Sequence, residues 1–341
     1  MVDNISSWGE NETKMFYDLT PDKILNAVES GGYRCTGRCF ALNSMENRVY
    51  EIEILLEDAS ARPGAWDSFR VAKFYRPARW TKEQITEEHE FLLRLQDCDI
   101  PVVAPLPFAD GSTLKEIPES KILYAIFPKV GGRCLAHDEL DDQQLAQLGR
   151  LIARIHNVGA VTSATERILL SPATYIEANL NYLLNEHCLP PELEDTYEQT
   201  VSQLLAAIKP LYPQHNFIAT HGDFHLGNIL WGQNGPLVVD FDDMVRAPAI
   251  QDLWLLLNGR REENEQKLQL IINAYEQMRA FDQNTLNLIE PLRTMRLVHF
   301  SAWIARRWKD PAFSRAFPYF GTARYWQEQI ADLREQLALL N

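Results

Sequence analysis

The first third of the chain alternates apolar and polar residues, whereas the remainder repeats its apolar residues at helical spacing. Alternation with period two puts every second side chain on one face of a strand. It runs through Cys39-Phe40-Ala41-Leu42, Arg48-Val49-Tyr50-Glu51-Ile52-Glu53-Ile54 and Ser68-Phe69-Arg70-Val71-Ala72-Lys73-Phe74-Tyr75, which predicts three antiparallel strands. Residues 43–47 form the turn between the first two, and residues 58–67, with Pro63-Gly64, the turn before the third. A polar lead-in over residues 1–20 precedes a short helix over 21–30, capped by Thr20, opened by Pro21 and stopped by Gly31-Gly32. A second helix over 81–96 starts at Thr81 and keeps Phe91, Leu92 and Leu95 on one face. After a proline-broken extended segment over 101–108, Ile122-Leu123-Tyr124-Ala125-Ile126-Phe127 reads as an apolar strand. Pro128-Lys129-Val130-Gly131-Gly132 breaks it and is the candidate hinge.

Beyond the hinge the period is helical. Leu145, Leu148, Ile152 and Ile155 form one stripe of a helix over 141–157. Similar patterns occupy 173–184, 192–208, 250–257, 262–279, 284–305 and 325–340. Only 229–231 and 237–240 look like strands in this half, joined by Gln233-Asn234-Gly235. The expected fold is α+β with two lobes: an antiparallel sheet with a helix over 1–127, a hinge at 128–132, and a mainly helical lobe over 133–341.

Composition narrows the function classes. Hydrophobic residues make up 46% and charged residues 23%, enough apolar material for a sizeable core in 341 residues. Net charge is 33 − 47 = −14, which argues against a sequence-independent nucleic-acid binder. Five scattered cysteines (Cys35, Cys39, Cys98, Cys134, Cys188) complete no tetrahedral metal site and read as reduced thiols. No basic leader with an apolar run opens the chain and no long apolar window spans a membrane, so the expectation is a cytoplasmic protein without membrane contact. No heptad run asks for a dimer, and a monomer is expected.

The chemistry concentrates in Thr220-His221-Gly222-Asp223-Phe224-His225-Leu226-Gly227-Asn228, followed by Val238-Val239-Asp240-Phe241-Asp242. Phosphoryl transfer from ATP needs one carboxylate to orient the attacking hydroxyl, and an amide with a second carboxylate to hold Mg²⁺. Asp223 suits the first role, and Asn228 and Asp240 the second. Plain turn chemistry around Gly222 and Gly227 would not deliver a second Asp behind an apolar hairpin. His221 and His225 bracket Asp223 but lack a third ligand motif for zinc, so one or both are read as packing and hydrogen-bonding the loop from behind. Asp242 and Asp243 are read as supporting or loop charges, with contact to a second metal ion an alternative for Asp242, and the late position of Asp240-Phe241-Asp242 argues against an aspartyl-nucleophile phosphatase. Lys73, mid-strand among apolar neighbours, can reach the ATP phosphates, steadied by Glu88, with Glu87 and Glu90 as competitors. Glycine-rich phosphate loops are missing; the polar turn Leu42-Asn43-Ser44-Met45-Glu46-Asn47, with the Ser44 hydroxyl and backbone amides, stands in their place.

These residues resemble the protein-kinase-like superfamily in its aminoglycoside phosphotransferase and choline kinase branch. Over nearly the whole length the chain is similar to the bacterial stress response kinase A family, the RdoA or YihE type. The likeness is carried by residues 42–50, Lys73-Phe74-Tyr75-Arg76-Pro77, Glu87-Glu88-His89, Val130-Gly131-Gly132-Arg133, His221-Gly222-Asp223 and Gln251-Asp252-Leu253-Trp254-Leu255-Leu256-Leu257-Asn258-Gly259. It implies a bilobal kinase that uses ATP and Mg²⁺ to phosphorylate Ser/Thr on proteins, itself included, in stressed cells. It implies Asp223 as proton acceptor, Asn228 and Asp240 as Mg²⁺ ligands, Ser44 as an ATP-site residue and Lys73 as the phosphate lysine. The stretch 127–130, with Phe127 and Lys129, would read adenine through backbone groups. No Arg precedes Asp223 and no Ala-Pro-Glu follows, so a phosphorylated activation loop is not expected. A small-molecule kinase acting on an aminoglycoside, amino alcohol or sugar is the competing enzyme reading, and a non-catalytic nucleotide-binding scaffold is the third.

Overall fold

The computed structural model describes residues 14–17, 19–56, 66–257, 259 and 262–340. The lead-in over 1–13, most of the turn expected over 58–67, and Asn258 of the 251–259 motif lie outside the described residues. The chain forms two compact units. A sheet unit holds the described residues up to Leu140 together with Leu226–Asp242, and a helical unit holds Asp141–His225 and the chain from Asp243 onward. Residues 133–140 and the 226–242 segment, which the sequence places with the helical lobe, therefore group with the sheet.

The sheet unit begins with α1 (Lys14–Tyr17), α2 (Pro21–Ser30), β1 (Arg34–Ala41), β2 (Arg48–Leu55), β3 (Phe69–Phe74), α3 (Lys82–Asp97), β4 (Lys115–Glu116) and β5 (Leu123–Pro128). The helical unit follows with α4 (Asp142–Gly159), α5 (Ala178–Asn185), α6 (Pro191–Ile208) and β6 (Ile218–Thr220). The chain returns to the sheet unit for β7 (Ile229–Gly232) and β8 (Gly235–Val238). It closes in the helical unit with β9 (Val245–Ala247), α7 (Ile250–Trp254), α8 (Glu265–Tyr275), α9 (Ile289–Arg307), α10 (Pro311–Ala316) and α11 (Ala323–Leu340).

The strands pair antiparallel throughout, in the order β1-β2-β3-β5-β4. Their alternation gives one apolar face, with Ile52, Ile54, Ala72, Phe74, Tyr124 and Ile126 buried against Ile24, Ala27 and Val28 of α2. Phe74 stacks on Tyr124 at 5.6 Å and meets Tyr50 edge-on at 6.0 Å. Lys73, between Ala72 and Phe74, consequently points to the opposite face, which fixes where its ammonium can act. α2 and α3 begin where their caps predict: Thr20 accepts from the Lys23 amide, and Thr81 and Gln84 form a reciprocal capping box.

The departures have local causes. β1 starts at Arg34 rather than Cys39, because a register shift between Cys35 and Cys39 breaks the alternation that marks a strand. A one-turn helix occupies residues 14–17 within the expected lead-in. β4 and the β6–β9 pair, two and three residues per strand, are too short to show a period. α7 ends at Trp254 rather than near 257, and the start expected for α9 at 284 is a 3-10 turn.

The β7–β8 hairpin attaches to the sheet unit through backbone. Arg133 and Trp231 exchange N–H to carbonyl bonds at 3.1 and 2.8 Å, and the Val238 amide donates to Pro101 at 2.9 Å. Gly132, at φ +147°, makes the approach possible: a Cβ there would sit 2.9 Å from Leu230 Cβ. The break that the sequence reads as a hinge seats the hairpin.

Candidate active site

In the sheet unit, Lys73 is buried, with 9% of its side chain exposed. Three carboxylates surround its ammonium: Asp242 Oδ1 at 3.1 Å, Asp240 Oδ1 at 3.2 Å and Glu88 Oε1 at 3.8 Å. Burial favours the neutral amine, but Asp242, Asp240 and Glu88 together outweigh it and hold Lys73 well above the usual lysine range. Among the α3 glutamates, Glu88 is 1% exposed, whereas Glu87 is half-buried and Glu90 exposed. The carboxylate facing Lys73 from α3 is Glu88.

Of the two readings of Asp242, the supporting charge holds and the loop charge does not. It is 3% exposed, facing Lys73 on one side and paired with Arg79 on the other. Arg79 also reaches Glu46 at 3.6 Å, and Arg76 reaches the same carboxylate at 3.1 Å. Arg76 further donates its backbone N–H to Asn47 Oδ1 at 3.0 Å and its Nε and Nη2 to the carbonyls of Glu46 and Met45. These bonds fix the turn that carries the half-buried Ser44 to the end of the lysine strand. Phe127 is buried in β5 opposite Val71. Lys129 binds Glu51 at 2.6 Å and lies over the Trp66 ring at 5.8 Å, so its ammonium is already engaged.

The hairpin register brings Asn228 and Asp240 to one end. Ile229 pairs with Val238, and the Val239 amide donates to the Asn228 carbonyl at 3.0 Å. Asp240 comes next, in the left-handed region at φ +61° with 56% of its side chain exposed. A non-glycine residue held there is strained, and such strain clusters at functional positions.

In the helical unit, Asp223 follows β6 and is gripped by both oxygens. Arg296 Nη1, from α9, donates to Oδ1 at 2.7 Å, and His225 Nε2 lies 3.2 Å from Oδ2. Burial raises a carboxyl, but the His225 bond and the Arg296 charge outweigh it and keep Asp223 well below the usual carboxylate range. His221 behaves as expected, fully buried behind the loop with its ring edge-on to Phe224 at 5.4 Å. His225 instead touches the carboxylate itself.

The loop is held from α7. Asp252, 0% exposed, accepts the amides of His221 and Gly222 at 2.9 Å each and meets His156 Nε2 at 3.0 Å. Gln251 donates to the Gly222 carbonyl at 2.8 Å. Gly222 has φ +85°, and a Cβ there would lie 2.1 Å from the Asp243 carbonyl oxygen, so only glycine fits.

Residues 44–284 match the phosphotransferase enzyme family. Stress response kinase A of Escherichia coli strain K12 is 39% identical over 331 residues, covering 97% of this chain and 96% of its own. The chain belongs to the stress response kinase A family of phosphotransferases. A family member from Salmonella typhimurium, described as serine/threonine protein kinase RdoA, is 40% identical over 327 residues, with 96% of this chain and 95% of its own covered. Among solved structures, an amicoumacin kinase in complex with AMP-PNP and Ca²⁺ shares the fold with a TM-score of 0.74 at 19% identity, covering 96% of this chain and 95% of that one. A microcompartment-associated aminopropanol kinase shares it at 0.64 and 17%, covering 91% and 97%.

Membership of this family makes the chain a kinase that uses ATP and a divalent cation. Among the described residues no cluster of three or more His, Cys, Asp or Glu side chains is arranged to hold a metal. The donor set at the hairpin end fits a different mode, in which one amide and one exposed carboxylate leave most of the cation's shell to phosphate oxygens and water. No helix among the described residues is long and apolar enough to cross a membrane.

Three residues beside Asp223 escaped the sequence. Arg296 lies 73 positions away in a helix whose pattern announces only its buried side. Gln251 and Asp252 stand in a motif that carries the family likeness, but their roles as carbonyl and amide partners are tertiary. Asp252→Ala is expected to strip two buried amides of their acceptor, at about 1–3 kcal/mol each, and to destabilise the protein by about 3–5 kcal/mol. Urea unfolding measures this, and a loss under about 1 kcal/mol would refute the assigned role.

Proposed function

We propose that this kinase transfers the γ-phosphate of ATP to serine and threonine hydroxyls of proteins, its own included, in a stress response. The phosphotransfer chemistry is carried by one observation, the buried Lys73 ammonium held among Asp240, Asp242 and Glu88. The choice of a protein acceptor is supported by whole-length likeness to a relative described as a serine/threonine protein kinase.

In this reading Asp223 accepts or orients the proton of the attacking hydroxyl, with Arg296 and His225 fixing its two oxygens. Asn228 and Asp240 hold Mg²⁺, which supplies charge neutralisation on the phosphates when bound. Lys73, oriented by Glu88, binds the phosphates. The Ser44 turn covers them, Phe127 and Lys129 border the adenine with their backbone groups, and residues 128–132 serve as the hinge. Lys73→Met keeps the side-chain volume but removes the cation. It is expected to lower kcat/KM for ATP by about 10²–10³, read in a coupled ADP-release assay.

The small-molecule reading draws on the fold neighbours named for amicoumacin and aminopropanol, at 17–19% identity. Purified enzyme with γ-labelled ATP, a protein extract and a panel of amino alcohols and aminoglycosides separates the two. Label entering protein is the expected result, and label entering only the small amines would defeat the proposal.

A further inference from the structure

We propose that the outer face of α9 binds the acceptor segment of a protein substrate: Arg296 takes an acidic side chain beside the acceptor hydroxyl, and Phe300, Trp303 and Phe317 take an apolar one farther along. The inference rests on Asp223 being the carboxylate that meets that hydroxyl.

Arg296 gives one donor, Nη1, to Asp223, yet its side chain remains 44% exposed. A guanidinium carries five N–H donors in a fixed fork. The rest of that fork is available to a second carboxylate, next to where the hydroxyl must arrive. His225, 38% exposed, lies on the other Asp223 oxygen. A carboxylate can pair with the remaining guanidinium donors, whereas an amine offers them no acceptor of comparable strength.

The same helix face continues into an aromatic patch. Phe300 is 40% exposed, and Trp303 and Phe317 are half-buried. Their rings touch, with centroids 5.6 Å apart for Phe300–Trp303, 5.7 Å for Phe300–Phe317 and 6.0 Å for Trp303–Phe317. Buried Phe313 anchors them from beneath, 4.7 Å from Trp303. Spacings of four and three put residues 296, 300 and 303 on one stripe. At 1.5 Å rise per residue the stripe runs roughly 6 Å to Phe300 and roughly 10 Å to Trp303. An extended peptide advances about 3.3 Å per residue, so a side chain two or three positions from the acceptor lands on the patch. A small amino alcohol cannot reach both ends; a peptide can.

The test uses the full chain with Mg²⁺ and ATP on peptides carrying a single serine. One series varies the adjacent residue among Asp, Ala and Lys; the other places Leu or Ser two or three positions to either side. The wild type is expected to favour Asp over Lys by about tenfold in kcat/KM, and Arg296→Glu to invert that order. Phe300→Ser combined with Trp303→Ser is expected to raise KM about tenfold for the Leu peptides, leave kcat within about twofold, and erase the Leu preference. A flat wild-type preference overturns the inference. So does an Arg296→Glu enzyme that loses kcat equally on all peptides with its Asp-to-Lys ratio kept, since Arg296 would then only clamp Asp223. A wild type that labels no peptide or protein at all would instead take down the protein-kinase reading, and this inference with it.

Discussion

Asp223→Ala is expected to lower turnover by roughly 10²–10⁴-fold, the range a positioned acid–base group contributes, while leaving the protein folded. Its partners Arg296 and His225 are both solvent-accessible, at 44% and 38% exposure. Each can rehydrate when the carboxylate goes, so the change in stability should stay within about 1 kcal/mol. Asp223→Asn keeps the shape and should lose as much activity, because an amide cannot accept the proton. Melting curves set beside initial rates separate lost chemistry from lost fold. Because its partners hold Asp223 well below the usual range, it stays ionised as pH falls toward about 4. Any loss of rate between pH 5 and 7 must arise elsewhere.

Asp240→Asn is the second large effect. Asparagine tolerates the left-handed backbone at φ +61° better than alanine, so the substitution removes charge with little added strain. Lys73 keeps Asp242 at 3.1 Å and Glu88 at 3.8 Å, and the sheet unit should remain folded. Cation-dependent turnover is expected to fall by roughly 10²-fold or more, the scale set by several kcal/mol of charge stabilisation. The concentration of Mg²⁺ needed for half-maximal rate should rise in parallel. A variant with wild-type rates and an unchanged Mg²⁺ requirement would remove Asp240 from the site.

What the sequence reveals is what local pattern encodes. α2 and α3 start at Thr20 and Thr81 because capping side chains act within one turn. β2 and β3 follow from alternation, and Lys73 falls on the face opposite Phe74 for the same reason; β5 and the β7–β8 hairpin follow from short apolar runs bounded by breakers. The spacing of Asn228 and Asp240 is legible because a hairpin is a short-range structure. Features settled by tertiary contact are invisible at that level. The burial of Asp242 against Arg79, the hold of Asp252 on the His221 and Gly222 amides, and the Arg296 clamp join residues 30 to 163 positions apart. No periodicity links such pairs. Where the period itself is interrupted, as between Cys35 and Cys39, even a strand is half missed.

The most direct test incubates the wild type and Asp223→Asn side by side with γ-labelled ATP, Mg²⁺ and protein substrate, then identifies the labelled amino acids. Acid-stable phosphoserine or phosphothreonine from the wild type and none from the variant is the predicted result. Equal label from both, or a wild type that transfers phosphate to no protein hydroxyl, would contradict it.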